Sequence, residues 1–333
     1  MAVKITIVGM GQIGTSIGLA LANQSELLQR VGHDRELNTA RQAEKMGALD
    51  KVAVNLPSAV RDADIVVLSL PMDEIRPTLA LIAPELKEDV VVMDTAPVKE
   101  VVATWAGELL PPKRHYVGLT PVLNPAYLLE PSSGVEAAQA DLFRQGLIAI
   151  VAPPRTTSEA IKLAADLTRL LGSTPLFVDP MEIDGLMAAT HLLPQIIAAG
   201  LLNATVDQPG WREGRKVAGR GFAEATAPIT HLSEPSTLQA SVMFNRENVL
   251  RVLDGLIASL QTLRNDIEAK EDQSLLERLA RARRGRERWW QQRQAGEWVN
   301  TDDAYPAGSE DVSSSDIFSR LFGGLGKRRK SED

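Results

Sequence analysis

The chain has 333 residues, 44% of them hydrophobic, with a formal net charge of −7 and a sequence pI of about 5.3. This length allows two domains, each with a buried core, and the acidic balance argues against a general polyanion binder. The absence of cysteine excludes disulfides, thiol catalysis and a cysteine-ligated zinc site.

The sequence predicts neither secretion nor membrane insertion. A strand is predicted from about residue 3, so the N-terminus lacks the charged and apolar regions of a signal peptide. The longest apolar stretch, Leu192–Leu202, contains Pro194 and Gln195 and is shorter than a membrane span. Scattered histidines, without an H-x-x-x-H pair, argue against a catalytic metal. We therefore expect a cytoplasmic protein without metal or stable membrane association.

The first predicted strand runs into a glycine-rich turn. Lys4–Val8 is β-branched, and Gly9-Met10-Gly11-Gln12-Ile13-Gly14 follows it with G-x-G-x-x-G spacing. Thr15–Asn23 is rich in alanine and leucine and predicts a helix. A strand, a glycine turn and a helix in this order predict a site for a dinucleotide.

Each glycine of the turn has a mechanical role. Gly9 permits the tight turn, Gly11 allows the backbone to approach a pyrophosphate, and Gly14 allows the helix to pack on the sheet. Gln12 and Ile13 stand at the helix N-terminus, whose N–H groups and dipole favour phosphate. All five are predicted to contact the cofactor.

The second strand ends in an acid that bears on the choice of cofactor. Asp34 follows Gly14 by about the separation at which a carboxylate binds the adenosine ribose hydroxyls, which is the NAD-type arrangement. Arg35 is adjacent, and a guanidinium there could instead hold the 2′-phosphate of NADP. Both residues are predicted cofactor contacts, and the sequence leaves NAD and NADP open.

Strands and helices then alternate, which predicts a doubly wound α/β sheet. Leu70 and Pro71 end a buried apolar run, and Asp94 follows another; cofactors bind at such strand ends, so all three are predicted contacts. Leu119–Pro125 is predicted to be a loop at the end of a further strand. The predicted strands are Lys4–Val8, Leu27–Val31, Val52–Val54, Ala63–Pro71, Val90–Met93, His115–Gly118, Gly146–Val151 and Pro175–Val178.

The pattern changes after Pro180 to helices without strands. Met181–Val206, Ser236–Lys270 and Asp272–Gln294 are predicted helices, separated by a looser polar stretch, Asp207–Pro228. Long apolar helices of this kind often pack against a twin subunit, so we expect a homodimer. The predicted divisions are a dinucleotide domain at 1–179, a helical domain at 180–295 and a disordered tail at 296–333.

The run Arg278–Trp290 is the strongest basic patch. Its basic and tryptophan residues have the composition of a nucleic-acid site. The last amphipathic helix of the chain would need the same residues, so we predict that helix and no nucleic-acid partner.

The chain resembles the prephenate and arogenate dehydrogenases of tyrosine biosynthesis over about residues 3–290. The matching stretches are Gly9–Ser16, Ala63–Pro71, Asp94–Lys99, Val117–Pro121, Val178–Leu201 and Gly221–Asn248. The resemblance implies a Rossmann domain followed by an all-helical dimerisation domain, and oxidation of a small-molecule substrate by NAD or NADP with loss of carbon dioxide.

Several positions depart from the pattern of that family. Thr120 stands where the family has a histidine before Pro121, and Pro97 stands where it usually has a serine. The family's His-Asp pair is Ile183-Asp184 here, and its Thr-Arg pair is Thr226-Ala227. Threonine does not accept a proton as imidazole does, and alanine does not hold a carboxylate. The predicted substrate site is therefore altered.

The candidates for the chemistry are His191, Gln195, Lys99 and Thr120, at positions that the resemblance marks, and Asn124, which follows Thr120 in the predicted loop. His191 fits the first histidine of a Ser-His-Leu-Pro-His segment, and Gln195 lies near the second, one turn along the helix. Structural roles remain open for three of them: a buried core position for His191, a helix start for Lys99 and a turn before Pro125 for Asn124.

Three functions follow from these observations. The first is a dehydrogenase acting on prephenate or arogenate with other groups in place of the missing ones. The second is a paralogous dehydrogenase of another hydroxy or amino acid, and the third is a non-catalytic NAD(P)-binding regulatory protein.

Overall fold

The computed structural model describes residues 2–24, 26–130, 133–231 and 234–296. Within these residues the first half forms an eight-stranded sheet of order β3-β2-β1-β4-β5-β6-β7-β8. The strands are β1 (Val3–Val8), β2 (Leu28–His33), β3 (Lys51–Val52), β4 (Ile65–Leu68), β5 (Val91–Asp94), β6 (His115–Pro121), β7 (Leu147–Val151) and β8 (Thr174–Phe177). The predicted doubly wound Rossmann sheet is confirmed, because β1 pairs in parallel with both β2 and β4.

Helices cover both faces of this sheet. They are α1 (Gln12–Ala20), α2 (Leu37–Lys45), α3 (Leu56–Val60), α4 (Met72–Ile82), α5 (Glu100–Leu109) and α6 (Ser158–Leu170). Every residue of β4 and β5 is buried, so β4 is apolar throughout and β5 is apolar up to its last residue, Asp94. Alternate strand residues contribute to two cores, one on each side of the sheet: Ile5 and Ile7 face one, and Val66 and Leu68 face the other.

The connection from β6 to β7 differs from the predicted loop. β6 continues to Pro121 and pairs antiparallel with β7, so Thr120 lies within a strand and opposite Ala149. The chain reverses here through two short 3₁₀ segments, Pro125–Tyr127 and Val135–Ala137. The prediction of a loop from Leu119 was therefore wrong, because pairing with β7 extends β6 by three residues beyond Gly118.

The second half is helical. It contains α7 (Pro180–Met187), a π-helical segment (Ala188–Leu192), α8 (Leu193–Thr205), α9 (Trp211–Val217), α10 (Arg220–Thr226), α11 (Pro235–Phe244), α12 (Arg246–Ala269) and α13 (Asp272–Ala295). The polar stretch Asp207–Pro228 holds two helices, and the helix predicted from Ser236 is interrupted at Asn245. The interruption separates two helices with different partners, because α11 packs on α4 and α12 packs on α13.

The helix from Pro180 to Thr205 is longer than the apolar stretch noted in the sequence. It spans 26 residues, and its most apolar 18-residue window has a mean hydropathy of 1.5, so by length and composition it could cross a membrane. Only 22% of its most apolar window is buried. Core helices of soluble proteins meet the same criteria, and its exposed apolar surface needs a partner of some kind. The predicted disordered tail lies outside the described residues from position 297 onward.

Candidate functional site

The glycine-rich turn joins β1 to α1 in a geometry that requires two of its glycines. Gly9 has φ +91°, and a Cβ there would lie 2.2 Å from the Ser69 carbonyl oxygen. A Cβ on Gly14 would lie 2.0 Å from the Gly9 carbonyl oxygen. A Cβ on Gly11, by contrast, would meet no described atom within 4 Å. Gly11 therefore borders open space at the N-terminus of α1, where no side chain caps the helix.

Asp34 ties the end of β2 to this turn. Its Oδ2 accepts the Met10 N–H at 2.7 Å, and its Oδ1 accepts the Glu36 N–H at 2.8 Å. Arg35 points elsewhere, since its Nη1 donates to Glu74 Oε1 at 2.7 Å and its side chain is 75% exposed. The carboxylate thus stands beside the turn, as the sequence predicted for a ribose ligand, and Arg35 is held by an acid of α4.

Four further predicted cofactor contacts lie around the turn: Gln12 and Ile13 at the start of α1, and Leu70 and Pro71 at the end of β4. The Gln12 amide donates to the Ala137 carbonyl oxygen at 3.2 Å, and the side chain of Ile13 packs on the core, so only their N–H groups face the helix N-terminus. Leu70 and Pro71 are half-buried at the carboxyl end of β4, where Pro71 is the N-cap of α4. They border the same sheet edge as the glycine turn.

Asp94 and Lys99 form a buried ion pair, which corrects the prediction that each would face the cleft. Both side chains are 0% exposed, and Lys99 Nζ donates to Asp94 Oδ1 at 2.6 Å. Asp94 also accepts the Tyr116 hydroxyl at 2.5 Å and the Ala96 N–H at 2.8 Å. Burial lowers the pKa of Lys99, against the pull of Asp94, and burial raises the pKa of Tyr116 well above its usual value. The pair is enclosed within the protein and links the end of β5 to the start of α5.

Asp184 connects this junction to the helical domain. Its Oδ1 accepts the Lys99 N–H at 2.6 Å and its Oδ2 accepts the Glu100 N–H at 3.1 Å, so a residue of α7 caps α5. Asn245, at the break between α11 and α12, donates to the Asp184 carbonyl oxygen at 2.7 Å. Burial raises the pKa of Asp184, although these N–H groups act to lower it.

Thr120 carries a buried hydroxyl that needs a partner. The residue is 2% exposed, and its Oγ1 has no hydrogen-bond partner among the described residues. Ala149, directly across the β-ladder, packs in an apolar cluster with Ile183 of α7. Since residues opposite each other in an antiparallel ladder share a face, Thr120 and Ile183 lie on the same side of the sheet. Thr120 therefore stands at a domain junction with an unused polar atom.

Asn124 lies at a turn, which favours the structural role that the sequence left open beside that of a substrate ligand. Its Oδ1 accepts the Ala126 N–H at 3.0 Å and its Nδ2 donates to the Asp141 carbonyl oxygen at 3.1 Å. These two bonds cap the 3₁₀ segment that follows Pro121.

His191 lies in the π-helical segment, a feature common at functional sites. Burial, and then the nearby charge of His231, lower the pKa of His191. Gln195 is 3% exposed; its Nε2 donates to the His191 carbonyl oxygen at 3.0 Å, and its Oε1 has no partner among the described residues. Sequence reasoning missed His231, because it lies 40 positions from His191 and the family pattern of the stretch Gly221–Asn248 does not single it out.

Apart from Arg35, which pairs with Glu74, and Thr120, whose hydroxyl has no partner among the described residues, the predicted residues fall into three groups. The glycine turn, Asp34 and the end of β4 lie together at the carboxyl edge of the parallel strands. The side chains of Asp94, Lys99 and Asn124 make hydrogen bonds within the protein. His191 and Gln195 lie together in the helical domain. The open space at Gly11 and the uncapped helix fit a dinucleotide's diphosphate.

Comparison with known proteins identifies the family to which this chain is similar. Residues 17–174 match the family model of the prephenate dehydrogenase nucleotide-binding domain, and residues 179–281 match that of the prephenate dehydrogenase dimerization domain. Cyclohexadienyl dehydrogenase of Zymomonas mobilis is 27% identical over 85% of this chain and 94% of its own length. Prephenate dehydrogenase of Bacillus subtilis is 26% identical over 81% of this chain and 72% of its own length.

A solved structure gives the same fold. Prephenate dehydrogenase from A. aeolicus, in complex with hydroxyphenyl propionate and NAD+, superimposes with a TM-score of 0.76 at 23% identity. The match covers 86% of this chain and 98% of that one. The matched models, the relatives and the geometry lead to one conclusion: the chain belongs to the prephenate/arogenate dehydrogenase family and is an NAD(P)-dependent dehydrogenase.

Proposed function

We propose that this chain oxidises a prephenate-type substrate, a carboxylate-bearing ring alcohol, with NAD or NADP at a substrate site that differs from its family's. The single observation that supports a changed substrate site is the buried hydroxyl of Thr120. It has no partner among the described residues, and it stands at the position where the family has a histidine. A polar atom so placed gains a hydrogen bond when a ligand enters, so it favours a binding site that was changed rather than lost.

The cofactor site is assigned to the turn Gly9–Gly14 and to Asp34. The N–H groups of Gln12, Ile13 and Gly14 would bind the diphosphate, and Asp34 would bind the adenosine ribose. When bound, NAD(P)+ supplies the hydride acceptor.

His191 is the residue to which we assign the proton of the substrate hydroxyl. Because burial lowers its pKa, the imidazole is neutral near pH 7 and can accept a proton. Gln195 holds the carbonyl oxygen of His191 and offers Oε1 as an acceptor beside it. Thr120 can donate or accept a hydrogen bond but does not replace the imidazole as a base.

The altered half of the site is apolar. Ile183 stands where the family has the histidine of a His-Asp pair, and it packs with Ala149 and Val151. Ala227 stands where the family has an arginine that binds a substrate carboxylate. We infer that the proton acceptor and the carboxylate ligand come from other residues of the helical domain.

We also propose that the protein is a cytoplasmic homodimer, joined through residues 180–295. The helices of this half expose many large apolar side chains, among them Met181, Leu186, Ile197, Met243, Leu260, Ile267 and Leu276. Such a surface favours burial against a second copy of the chain. The family model's description of residues 179–281 as a dimerization domain supports the same assembly.

Steady-state assays with prephenate, arogenate and simple β-hydroxy acids, each with NAD+ and NADP+, test the proposed function. We expect reduction of the cofactor with prephenate or arogenate and release of carbon dioxide. Turnover of a different hydroxy acid alone would favour a paralogous dehydrogenase. Cofactor binding without turnover of any compound would favour a regulatory protein.

A further inference from the structure

The last described helix, α13, is positively charged in an acidic protein. It contains seven arginines and three acids, a net charge of +4, whereas the whole chain has a net charge of −7. Every residue from Arg281 to Trp289 is exposed, so no other described element buries this stretch. The basic run noted in the sequence therefore lies on a helix with an open surface.

Three arginines of α13 share one face. Arg281, Arg284 and Arg288 follow one another at spacings of three and four residues, and we call them the arginine stripe. Leu279, two positions before Arg281, is rotated from it by about 160° around the helix axis. Because leucine and stripe lie on nearly opposite sides, burial of the apolar side against a second copy of the chain leaves the stripe in solvent.

The stripe lacks the partners that other arginines of this helix have. Arg278 and Arg283 form ion pairs of 2.6 and 2.8 Å, and Arg286 lies 4.5 Å from the centroid of the Trp290 ring. No arginine of the stripe forms an ion pair with a described residue. Like charges one helical turn apart repel each other, so this face gains stability from a negatively charged occupant.

The C-terminal end of α13 is fixed on the nucleotide-binding half of the chain. Arg293 is 4% exposed, and its guanidinium donates to the Leu123 carbonyl oxygen. Residues 294–296 line a cavity of about 200 Å³ together with the start of β7 and Thr174. Gly296 then ends the helix in the left-handed conformation, with φ +66°. The chain therefore continues from a defined point at one end of the stripe.

The residues that follow α13 in the sequence carry the opposite charge. Residues 297–333 lie outside the described residues, and within them 302–316 contain no lysine or arginine and five acids: Asp302, Asp303, Glu310, Asp311 and Asp316. Arg288 and Arg281 lie about 12 and 22 Å back along the helix from Gly296. An extended chain from Gly296 to Asp302 spans up to about 20 Å. The first acids can therefore reach Arg288, and the later ones can reach Arg281.

We propose that the arginine stripe binds the acidic segment 302–316 of the same chain. The contact consists of exposed charge pairs, which are individually weak and screened by salt, so it needs several arginines at once. Covalent attachment offsets this weakness, because it holds the segment at a high effective concentration beside the stripe. The docked segment occupies the surface that would otherwise attract a polyanion. This inference does not depend on the proposed function.

Electron paramagnetic resonance of the full-length protein tests the contact. The chain has no cysteine, so Ser309→Cys places a single nitroxide label inside the acidic segment. We expect slow motion of this label at about 50 mM NaCl, and motion at least about twofold faster at about 1 M NaCl, where the Debye length is about 3 Å. A label at Ser331→Cys, outside the segment, is the reference for fast motion. Motion at position 309 that does not depend on salt would overturn the inference.

Charge reversal identifies the surface that binds the segment. The stripe-reversed variant, Arg281→Glu/Arg284→Glu/Arg288→Glu, is expected to show fast motion of the label at low salt. The control reverses three exposed cations elsewhere and is expected to keep the motion slow: Arg212→Glu/Arg215→Glu/Lys162→Glu. Circular dichroism checks that both variants are folded. Equal label motion in the two variants would overturn the inference.

A charge swap separates direct pairing from a local change in α13. In the stripe-reversed variant, the segment is made basic by four substitutions: Asp302→Lys, Asp303→Lys, Glu310→Lys and Asp311→Lys. The label is expected to return to slow motion at low salt, because the two charges are complementary again. Fast motion in the swapped protein would overturn the inference.

Two further measurements identify the occupant. Labelled protein with the native stripe is mixed with an excess of unlabelled stripe-reversed protein; slow motion supports docking on the same chain, and fast motion assigns the segment to the stripe of a twin subunit and overturns the proposal. An oligonucleotide of about 20 thymidines is expected to bind at least about tenfold more tightly when the four acids are replaced by their amides, because the internal competitor is lost. Equal affinity in the wild-type chain would contradict a docked segment.

Discussion

Replacing Lys99 by methionine tests whether the buried pair at the β5–α5 junction is structural. The side chains of Lys99 and Asp94 are 0% exposed and 2.6 Å apart. Methionine has a similar length and no charge, so Lys99→Met leaves the Asp94 carboxylate buried with only the Tyr116 hydroxyl and the Ala96 N–H. Removing one partner of a buried ion pair costs about 3–5 kcal/mol.

The expected loss is large enough to measure. At about 2 °C per kcal/mol for a chain longer than 250 residues, the melting temperature falls by about 6–10 °C. The double variant Lys99→Met/Asp94→Asn loses less, about 2 kcal/mol or below, because a neutral pair needs no buried counter-charge. Lys113→Met is the control: its partner Glu88 is 3.1 Å away, both side chains are more than half exposed, and the expected change is below about 1 kcal/mol.

Thermal and denaturant unfolding followed by circular dichroism, at one fixed protein concentration, measure the free energy of unfolding for all four proteins. Fixed concentration matters because dimer dissociation contributes to the apparent stability. The reasoning would be refuted if Lys99→Met lost no more stability than Lys113→Met. It would also be refuted if the double variant were less stable than the single one.

Three further predictions concern the cofactor and the histidine. Gly11→Val keeps the wild-type melting temperature but lowers NAD(P)+ affinity more than about tenfold in calorimetry. Gly14→Val, by contrast, lowers the melting temperature, because its Cβ meets the Gly9 carbonyl. Wild-type affinity in Gly11→Val would contradict the cofactor site at the glycine turn. Asp34→Ser shifts the ratio of NADP+ to NAD+ affinity upward by about tenfold, and an unchanged ratio would count against Asp34 as the ribose ligand. Because the folded-state pKa of His191 is lowered, the unfolded chain binds more protons than the folded chain below about pH 6.5, and stability falls as the pH falls. His191→Gln is expected to reduce that loss of stability, measured by denaturant titrations at pH 7 and pH 5.

Much of the fold was predictable because its signals are local. Runs such as Ile65–Leu68 are apolar because both faces of a parallel strand are covered, and they read as strands from sequence alone. Glycine spacing predicted the turn at Gly9–Gly14. The end of β6 was mispredicted because its last residues pair with β7, a strand more than 20 positions later.

The roles of the site residues were less predictable. Lys99 and Asp94 have the spacing of cleft residues, but their burial follows from Tyr116, 22 positions from Asp94, and from Asp184, 85 positions from Lys99. Asn124 was open between two roles, and its two backbone hydrogen bonds favour the turn.

The sequence by itself determined the dinucleotide turn, the acid at the end of β2 and the change from an α/β to an all-helical domain, because glycine geometry and hydrophobic periodicity act over a few residues. The tertiary structure alone decided which charges are buried together. These contacts join residues far apart in the chain, and their distances depend on how the strands and helices within each domain pack.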